Sequence, residues 1–200
     1  NVNSMRWFEP KYSKHKQAEK LLSRYDVDMW HAIETQVNFD SDQWRQSDGK
    51  FMDRIGVGKD LKAICANNMH NHDRCSPGGN AQMTFGPLST YILEQGADET
   101  GLGRCVWTLV GVHGKKKTRF VTAYQPCENK GKKTVFSQHS RYFEALGDHT
   151  NPRTIFYNHL LEFIAKCRAN GEEVVLFIDA NENVYTGRLA RALSGDDFNM

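Results

Sequence analysis

The feature that most constrains the fold is an apolar run near the end of the chain that stops abruptly on an acid. Residues 174–178 read VVLFI, Gly171 precedes them, and Asp179 follows directly. Five consecutive apolar residues, mostly β-branched or aromatic, predict a short strand that is buried on both faces of a sheet. Because ligands of open α/β sheets bind beyond the strand ends, a carboxylate held there by a rigid strand is well placed for chemistry.

The residues that follow this strand also allow a purely structural interpretation. Asp and Asn side chains bond back to nearby main chain and tolerate unusual dihedral angles, so residues 179–181 (DAN) are equally typical of a turn. Both interpretations stay open on this motif alone, and the rest of the chain must decide between them.

Length and composition bound the class of protein. The chain has 200 residues, of which 39% are hydrophobic and 11% aromatic, and this suffices for one domain with a substantial core. No apolar run is long enough to cross a bilayer, and no charged-then-apolar leader is visible. The five cysteines are odd in number and irregular in spacing. We therefore expect an intracellular protein in a reducing compartment.

Hydrophobic periodicity and turn signals predict an alternation of strands and helices. Strands are predicted over residues 28–33, 79–85, 105–112, 119–124 and 174–178. Helices are predicted over residues 14–25, 134–146 and 152–168, and loops over residues 40–49 and 66–79. No linker or internal repeat interrupts the pattern, so residues 1–200 are expected to form a single α/β domain.

A compact group of metal-ligating side chains lies in the second predicted loop. Cys65, His70, His72 and Cys75 follow the pattern C-x4-H-x-H-x2-C, which has the right ligand types for zinc. The spacing is not a common finger pattern, and the neighbouring asparagines are typical of a surface loop. A surface loop is the simpler interpretation, and a zinc site is the alternative.

Four short polar clusters stand at predicted strand ends. They are residues 1–3 (NVN), 33–35 (IET), 122–126 (TAYQP) and 178–182 (IDANE). In this order and at about these separations, they resemble the endonuclease/exonuclease/phosphatase superfamily, whose members include abasic-site DNA endonucleases and the endonuclease domains of non-LTR retrotransposons. Residues 78–81 (GGNA) resemble the glycine pair that opens a central strand in that superfamily, and residues 182–189 resemble copies found in mobile elements.

The resemblance implies a fold, a metal and a set of site residues. The fold would be a two-sheet α/β sandwich, and the cofactor would be Mg²⁺, or Mn²⁺ in its place. A hard cation of this kind prefers oxygen ligands and keeps several waters, so one or two carboxylates suffice to hold it. The implied metal ligands are Glu34 with Asn1 or Asn3. The implied catalytic residues are Tyr124, at the scissile phosphate, and Asp179 and Asn181, at the attacking water. The implied substrate contacts are Asn80 and Arg119.

The chain departs from the superfamily pattern in ways that affect the expected activity. Ile178 and Ala180 replace the usual Gly and aromatic residue beside the aspartate, although neither position is catalytic in the superfamily. Nothing after Asn181 supplies the further metal-side aspartate and terminal Ser-Asp-His, and Asp148-His149 is interpreted as structural. We therefore expect an incomplete domain that lacks its C-terminal strands, and either self-association or a complementing C-terminal fragment as its partner.

The leading functional expectation is a Mg²⁺-dependent phosphodiester hydrolase acting on DNA, of the mobile-element type and located in the nucleus. The net charge of +2 is too small to indicate nucleic acid, but lysine-rich residues 115–117 and 130–133 flank the Tyr124 strand. Two alternatives stay open. One is a phosphatase of lipid or inositol headgroups in the same superfamily; the other is a catalytically inactive DNA-binding or interaction module.

Overall fold

The computed structural model describes residues 14–39, 60–70, 76–129 and 131–195. The strands in these ranges are β1 Met29–Ile33, β2 Leu61–Ala66, β3 Asn80–Phe85, β4 Ile92–Ala97, β5 Cys105–Val110, β6 Lys117–Tyr124 and β7 Glu172–Asp179. The helices are α1 Lys14–Arg24, α2 Pro87–Thr90, α3 Val135–Ala145, α4 Pro152–Ala169 and α5 Arg188–Leu193. Among these helices, none has both the length and the apolar character needed to cross a membrane.

The strands form two separate sheets. One sheet has the order β1-β3-β2 and is antiparallel throughout. The other has the order β4-β5-β6-β7, in which β6 and β7 are parallel and the remaining pairs are antiparallel. Parallel neighbours need a crossover connection, and helices α3 and α4 lie in the segment between β6 and β7. The protein is therefore α/β with two sheets, consistent with an α/β sandwich.

The two sheets meet through a buried layer that is polar. Gln82 Nε2 on β3 donates to Thr122 Oγ1 on β6 at 2.9 Å, and Thr108 Oγ1 on β5 donates to Gln82 Oε1 at 2.7 Å. His31 Nδ1 on β1 shares a hydrogen bond with Thr122 Oγ1 at 2.6 Å, and its ring stacks on Phe177 of β7. Because buried polar groups need partners, these bonds fix how one sheet sits on the other.

The apolar cores lie on the outer faces of the sheets. Residues alternate between faces along a strand, so Ala81, Met83 and Phe85 of β3 point away from the polar layer, and helix α1 packs on them. On the second sheet, Val121 and Ala123 of β6 pack against one face of α4. The order of layers is therefore helix, sheet, sheet, helix.

The cap of helix α4 agrees with its sequence signals. Asn151 Oδ1 accepts from Arg153 N at 2.8 Å, and Pro152 occupies the first turn, where its missing N–H costs nothing. The helix begins where the sequence predicts and ends one residue later than expected. The predicted loop over residues 40–49 lies outside the described residues.

Two predictions about strands need correction. Strands β2 and β4 were not predicted. Lys62 in β2, and Glu94, Gln95 and Gly96 in β4, disfavour a strand locally. Strand β2 forms through pairing with β3, and β4 forms through pairing with β5. The prediction that residues 174–178 are buried on both faces is wrong. Val174, Leu176 and Ile178 pack toward α4, whereas Val175 and Phe177 are each 38% exposed. The physical reason for this exposure is that β7 is an edge strand of the four-stranded sheet.

Candidate active site at the ends of strands β1, β6 and β7

The parallel pairing of β6 and β7 brings two predicted catalytic residues together. Tyr124 and Asp179 are the last register pair of these strands, and Gln125 N donates to the main-chain oxygen of Asp179 at 3.0 Å just beyond them. Both strands run in the same direction, so their carboxyl ends meet at one place in the fold. The two clusters that are 55 residues apart in sequence thus form one surface.

Glu34 joins this surface from the end of β1. Ile33, Tyr124 and Val135 form a small buried cluster, and the Tyr124 hydroxyl is hydrogen-bonded to the Glu34 carboxylate. Burial raises the pKa of Tyr124, and the hydrogen bond and negative charge of Glu34 raise it further. Tyr124 is therefore a neutral phenol that donates a hydrogen bond, rather than a phenolate.

The backbone is strained where the strands end. Glu34, Gln36 and Asn181 have φ values of 57°, 53° and 48°, and they are the non-glycine residues with positive φ in the described part of the chain. Thr35 N donates to the main-chain oxygen of Gly79 at 3.2 Å, and Gln36 N donates to that of Gly78 at 2.8 Å. These two bonds hold the segment that contains Glu34 and Gln36 in place. Left-handed conformations of non-glycine residues are costly and cluster at functional sites.

Asn181 is held by hydrogen bonds on every side. Its main-chain N–H donates to Asp179 Oδ1 at 3.2 Å, and its Nδ2 donates to the main-chain oxygen of Gln125 at 2.7 Å. Its Oδ1 accepts from Cys127 Sγ at 2.8 Å. The turn alternative for residues 179–181 is thus correct as a description of the backbone, and this turn fixes the Asp179 carboxylate beside Tyr124.

Two residues that sequence reasoning missed hold this site together. Arg153, at the start of α4, donates through Nη1 to the main-chain oxygen of Pro126 at 2.9 Å and through Nη2 to that of Asn181 at 3.2 Å. It therefore ties the segment after β6 to the segment after β7. Cys127 contacts both Asn181 and Tyr124 and is exposed. Its position three residues after Tyr124 is the signal that could have identified it.

Asn80 lies behind the site rather than in it. The residue opposes Ile33 in the β1–β3 register and is fully buried. Its Nδ2 donates to the main-chain oxygen of Gly103 at 2.8 Å, and its Oδ1 has no partner among the described residues. In this arrangement Asn80 anchors the main chain at Gly103 and, being fully buried, does not reach the surface where a substrate would lie.

Arg119 lies on the opposite face of β6 from Tyr124. Five residues separate the two positions, and an odd separation puts side chains on opposite faces of a strand. The Arg119 guanidinium donates to both carboxylate oxygens of Glu172, at 2.6 and 2.9 Å, and lies 4.2 Å from the centre of the Trp107 ring. The structure does not bring Arg119 to the strand-end site.

The two lysine-rich segments lie at different ends of β6. Lys117 begins the strand and Tyr124 ends it, so residues 115–117 are about 23 Å from the site at about 3.3 Å per residue. Lys116 also pairs with Glu173 at 2.5 Å. Lys132 and Lys133 precede helix α3, whose first residue, Val135, packs against Tyr124. Of the two lysine-rich segments, only the one that contains Lys132 and Lys133 can place positive charge near the site.

The donor set of the site fits a cation that keeps most of its water. Glu34 and Asp179 supply carboxylates, while no group of three His, Cys, Asp or Glu side chains converges anywhere within residues 14–39, 60–70, 76–129 and 131–195. Mg²⁺ is commonly held by one or two carboxylates with waters completing an octahedron. The strained Glu34 is the better ligand candidate, because a costly backbone conformation directs its carboxylate to Tyr124. Asn1 and Asn3, the other implied ligands, lie outside the described residues.

The alternative zinc cluster is only partly within the described residues. Cys65 is in β2, where burial raises the pKa of its thiol to about 12. His70 Nε2 is 2.9 Å from the main-chain oxygen of Thr100, and its ring packs on Tyr142. His72 and Cys75 lie outside the described ranges.

In the Asp148-His149 pair, Asp148 Oδ1 accepts from Thr150 N at 2.8 Å in an exposed turn.

Neither a scan against protein-family models nor a search of curated proteins gives a match for this chain. The superfamily resemblance therefore stays an expectation carried by the strand-end motifs. The chemistry of the site is inferred from the geometry of Glu34, Tyr124, Asp179 and Asn181.

Proposed function

We propose that the chain is a Mg²⁺-dependent phosphodiester hydrolase of the endonuclease/exonuclease/phosphatase type that acts on DNA. The observation that carries the proposal is the meeting of Tyr124 and Asp179 at the ends of adjacent parallel strands, with Glu34 hydrogen-bonded to Tyr124. Phosphodiester hydrolysis requires a base, a hydrogen-bond donor to the phosphate and a metal ligand. The Asp179 carboxylate, the neutral Tyr124 phenol and the Glu34 carboxylate match these three roles in that order.

Asp179 is the proposed base. Its side chain is half-buried, and Oδ1 is oriented by the N–H of Asn181. A carboxylate held in this way accepts a proton from a water that attacks phosphorus. Asn181 acts by positioning, because Cys127 and Gln125 already engage both ends of its carboxamide.

Tyr124 and Glu34 act on the phosphate side. The Tyr124 hydroxyl keeps its proton, since burial and Glu34 raise its pKa. It donates to Glu34 in this structure and would have to leave that carboxylate to donate to a phosphate oxygen. Glu34 would hold the metal, with Lys132 and Lys133 supplying longer-range attraction for the DNA backbone. When bound, Mg²⁺ would offset the negative charge that develops on the phosphoryl oxygens.

Nicking of supercoiled plasmid under single-turnover conditions, with the protein in excess and with or without Mg²⁺, tests the proposal. Asp179→Asn should slow nicking by about 10²- to 10⁴-fold, the usual contribution of a general base, and leave DNA affinity within about tenfold. Glu182→Gln is the matched control, because Glu182 Oε1 accepts from Leu189 N at 2.7 Å and stabilises helix α5 rather than the site. The control should nick like the wild type.

Three outcomes would contradict the assignment. Equal nicking by wild type and Asp179→Asn would exclude Asp179 as the base. Hydrolysis of an inositol phosphate monoester without any nicking would favour the phosphatase alternative. Salt-sensitive DNA binding by a wild type that never nicks, even with a complementing C-terminal fragment, would favour the inactive binding module.

A further inference from the structure

The turn that joins β7 to α5 presents an aromatic side chain to solvent beside the strand-end site. Val184 is 72% exposed and Tyr185 is 87% exposed, and no large apolar side chain in the described part of the chain is more exposed than Tyr185. Tyr185 follows Asp179 by six residues, which span at most about 21 Å. The ring is therefore within reach of a long ligand that occupies the strand-end site.

Hydrogen bonds fix the backbone of this turn. Asn183 Oδ1 accepts from the N–H groups of Tyr185 and Thr186 at 2.9 and 3.0 Å. Gly187 N donates to the main-chain oxygen of Asn183 at 2.7 Å, and a Cβ at Gly187 would be 2.5 Å from that oxygen. Arg191 Nη1 donates to the main-chain oxygen of Thr186 at 2.8 Å. Because the backbone is already ordered, a ligand that stacks on Tyr185 loses little affinity to ordering of the turn.

Arg188 is held at the end of the turn by helix α4. Its guanidinium lies 4.3 Å from the centre of the Tyr157 ring, and its Nη1 donates to Thr154 Oγ1 at 3.1 Å. Thr154 follows Arg153, whose Nη2 donates to the main-chain oxygen of Asn181 at 3.2 Å. The exposed guanidinium of Arg188 is thus anchored next to a residue that contacts the strand-end site.

The charge of Arg188 is available to an anion. Arg119 also lies against an aromatic ring, but it pairs with Glu172 and both side chains are 7% exposed. Neither Arg188 nor Arg191 forms an ion pair with any residue that the structure describes. Glu182, the carboxylate nearest to them in the described sequence, accepts from a main-chain N–H of α5 at 2.7 Å. An arginine that is held by stacking and has no carboxylate partner is suited to a phosphate group.

An exposed ring next to unpaired arginines favours a nucleic-acid strand with accessible bases. Aromatic side chains stack on base faces, and basic side chains hold the backbone. In a duplex the neighbouring base pairs cover both faces of an internal base, so a ring on a surface turn stacks on a base that is unpaired. A span of about 21 Å corresponds to about six nucleotides of a strand at roughly 3.4 Å each.

We propose that Tyr185 and Arg188 bind a DNA strand that has an unpaired base within about six nucleotides of the cleaved phosphate. Tyr185 stacks on the base, and Arg188 pairs with a backbone phosphate. This inference rests on the proposed function, and it adds that the preferred substrate carries a single-stranded segment beside the position of cleavage.

Fluorescence anisotropy with two labelled DNA probes tests the proposal, in EDTA so that no cleavage occurs. One probe is a fully paired duplex with closed hairpin ends. The other has the same sequence with a single-stranded gap at its centre. The wild type should bind the gapped probe about tenfold more tightly than the paired probe, because only the gap offers base faces to Tyr185.

Variants at exposed positions assign the preference to this surface. Tyr185→Ala should weaken binding of the gapped probe about tenfold and leave the paired probe unchanged, whereas Tyr185→Phe keeps the ring and should bind like the wild type. Tyr91→Ala is the matched control, because Tyr91 is 47% exposed and its main-chain oxygen accepts from Gly111 N, near the start of β6. Arg188→Ala should reduce the slope of log affinity against log salt by about 0.7, the loss of one phosphate on a single strand.

The possible failures are distinguishable. Salt-dependent binding of the gapped probe that is equal in wild type and Tyr185→Ala would overturn this inference and leave the proposed function standing. Absence of binding to both probes at low salt would contradict the proposed function as well. Loss of self-association in Tyr185→Ala, measured by sedimentation, with unchanged DNA binding would assign the exposed ring to a second copy of the chain.

Discussion

Tyr124 and Asp179 lie opposite each other as the last paired residues of the parallel strands β6 and β7. Their neighbours Ala123 and Ile178 face helix α4, so both site side chains face the three-stranded sheet. Glu34, which follows strand β1 of that sheet, is hydrogen-bonded to Tyr124. The proposed site is thus built from both sheets, and it depends on how they pack.

The first prediction concerns metal binding at Glu34. Mg²⁺ or Mn²⁺ should raise the melting temperature of the wild type in a concentration-dependent way, because only the folded state assembles the ligands. Glu34→Gln should abolish this shift in a thermal denaturation series, whereas Glu144→Gln, at an exposed position of α3, should preserve it. An unchanged metal response in Glu34→Gln would place the ion elsewhere.

The second prediction separates the two lysine-rich segments. Replacing Lys132 and Lys133 by Ala should weaken DNA binding and reduce the slope of log affinity against log salt by about 1 for each phosphate that a lysine no longer neutralises. The same change at Lys115 and Lys116 should have little effect, because these lysines lie at the far end of β6 from Tyr124. Affinity that stays flat over the salt series would argue against a DNA backbone as ligand.

The third prediction is a loss of stability in mild acid through His31. Burial lowers the pKa of His31 to about 4, below its ordinary 6.5, so the unfolded chain binds more protons between these values. The stabilisation is complete above pH 6.5 and is lost as the pH falls toward 4, by about 3 kcal/mol at most. Denaturant titrations of the wild type at pH 7 and pH 4.5 measure the loss.

Two variants assign this pH dependence. His31→Asn keeps a polar atom near Thr122 without an imidazole, so its stability should change less between pH 7 and pH 4.5. His149→Asn replaces an exposed histidine and should retain the wild-type dependence. Identical pH dependence in all three proteins would show that His31 does not titrate in this window.

The fourth prediction concerns the outer edge of β7. Val175 is 38% exposed on the last strand of its sheet, and exposed apolar edge strands pair with other chains. Val175→Lys should shift the protein toward its monomer mass of 22.9 kDa in sedimentation or light scattering at high concentration. Val112→Lys, at a 43% exposed position near the β5–β6 turn, is the control and should associate like the wild type. A monomeric wild type would contradict self-association through β7.

The sequence alone determined the features that depend on near neighbours. The helix over residues 152–168 was predictable because Pro152, an apolar stripe and Gly171 are local signals. The strands ending on Tyr124 and Asp179 were predictable because apolar runs stop there on polar residues. Strand propensity did not reveal β2 and β4, which form only because β3 and β5 offer partners.

Only the tertiary structure decided which side chains meet. Thr122 lies 91 residues from His31 and 40 from Gln82, yet the three form one buried polar contact between sheets. Arg119 is near Tyr124 in sequence, but strand alternation puts it on the other face, where Glu172 binds it. Arg153 joins the site because a crossover returns its helix to the strand ends. Sequence periodicity fixes the conformation of each element, whereas sheet register and packing fix the distances between elements, and those distances determine the chemistry.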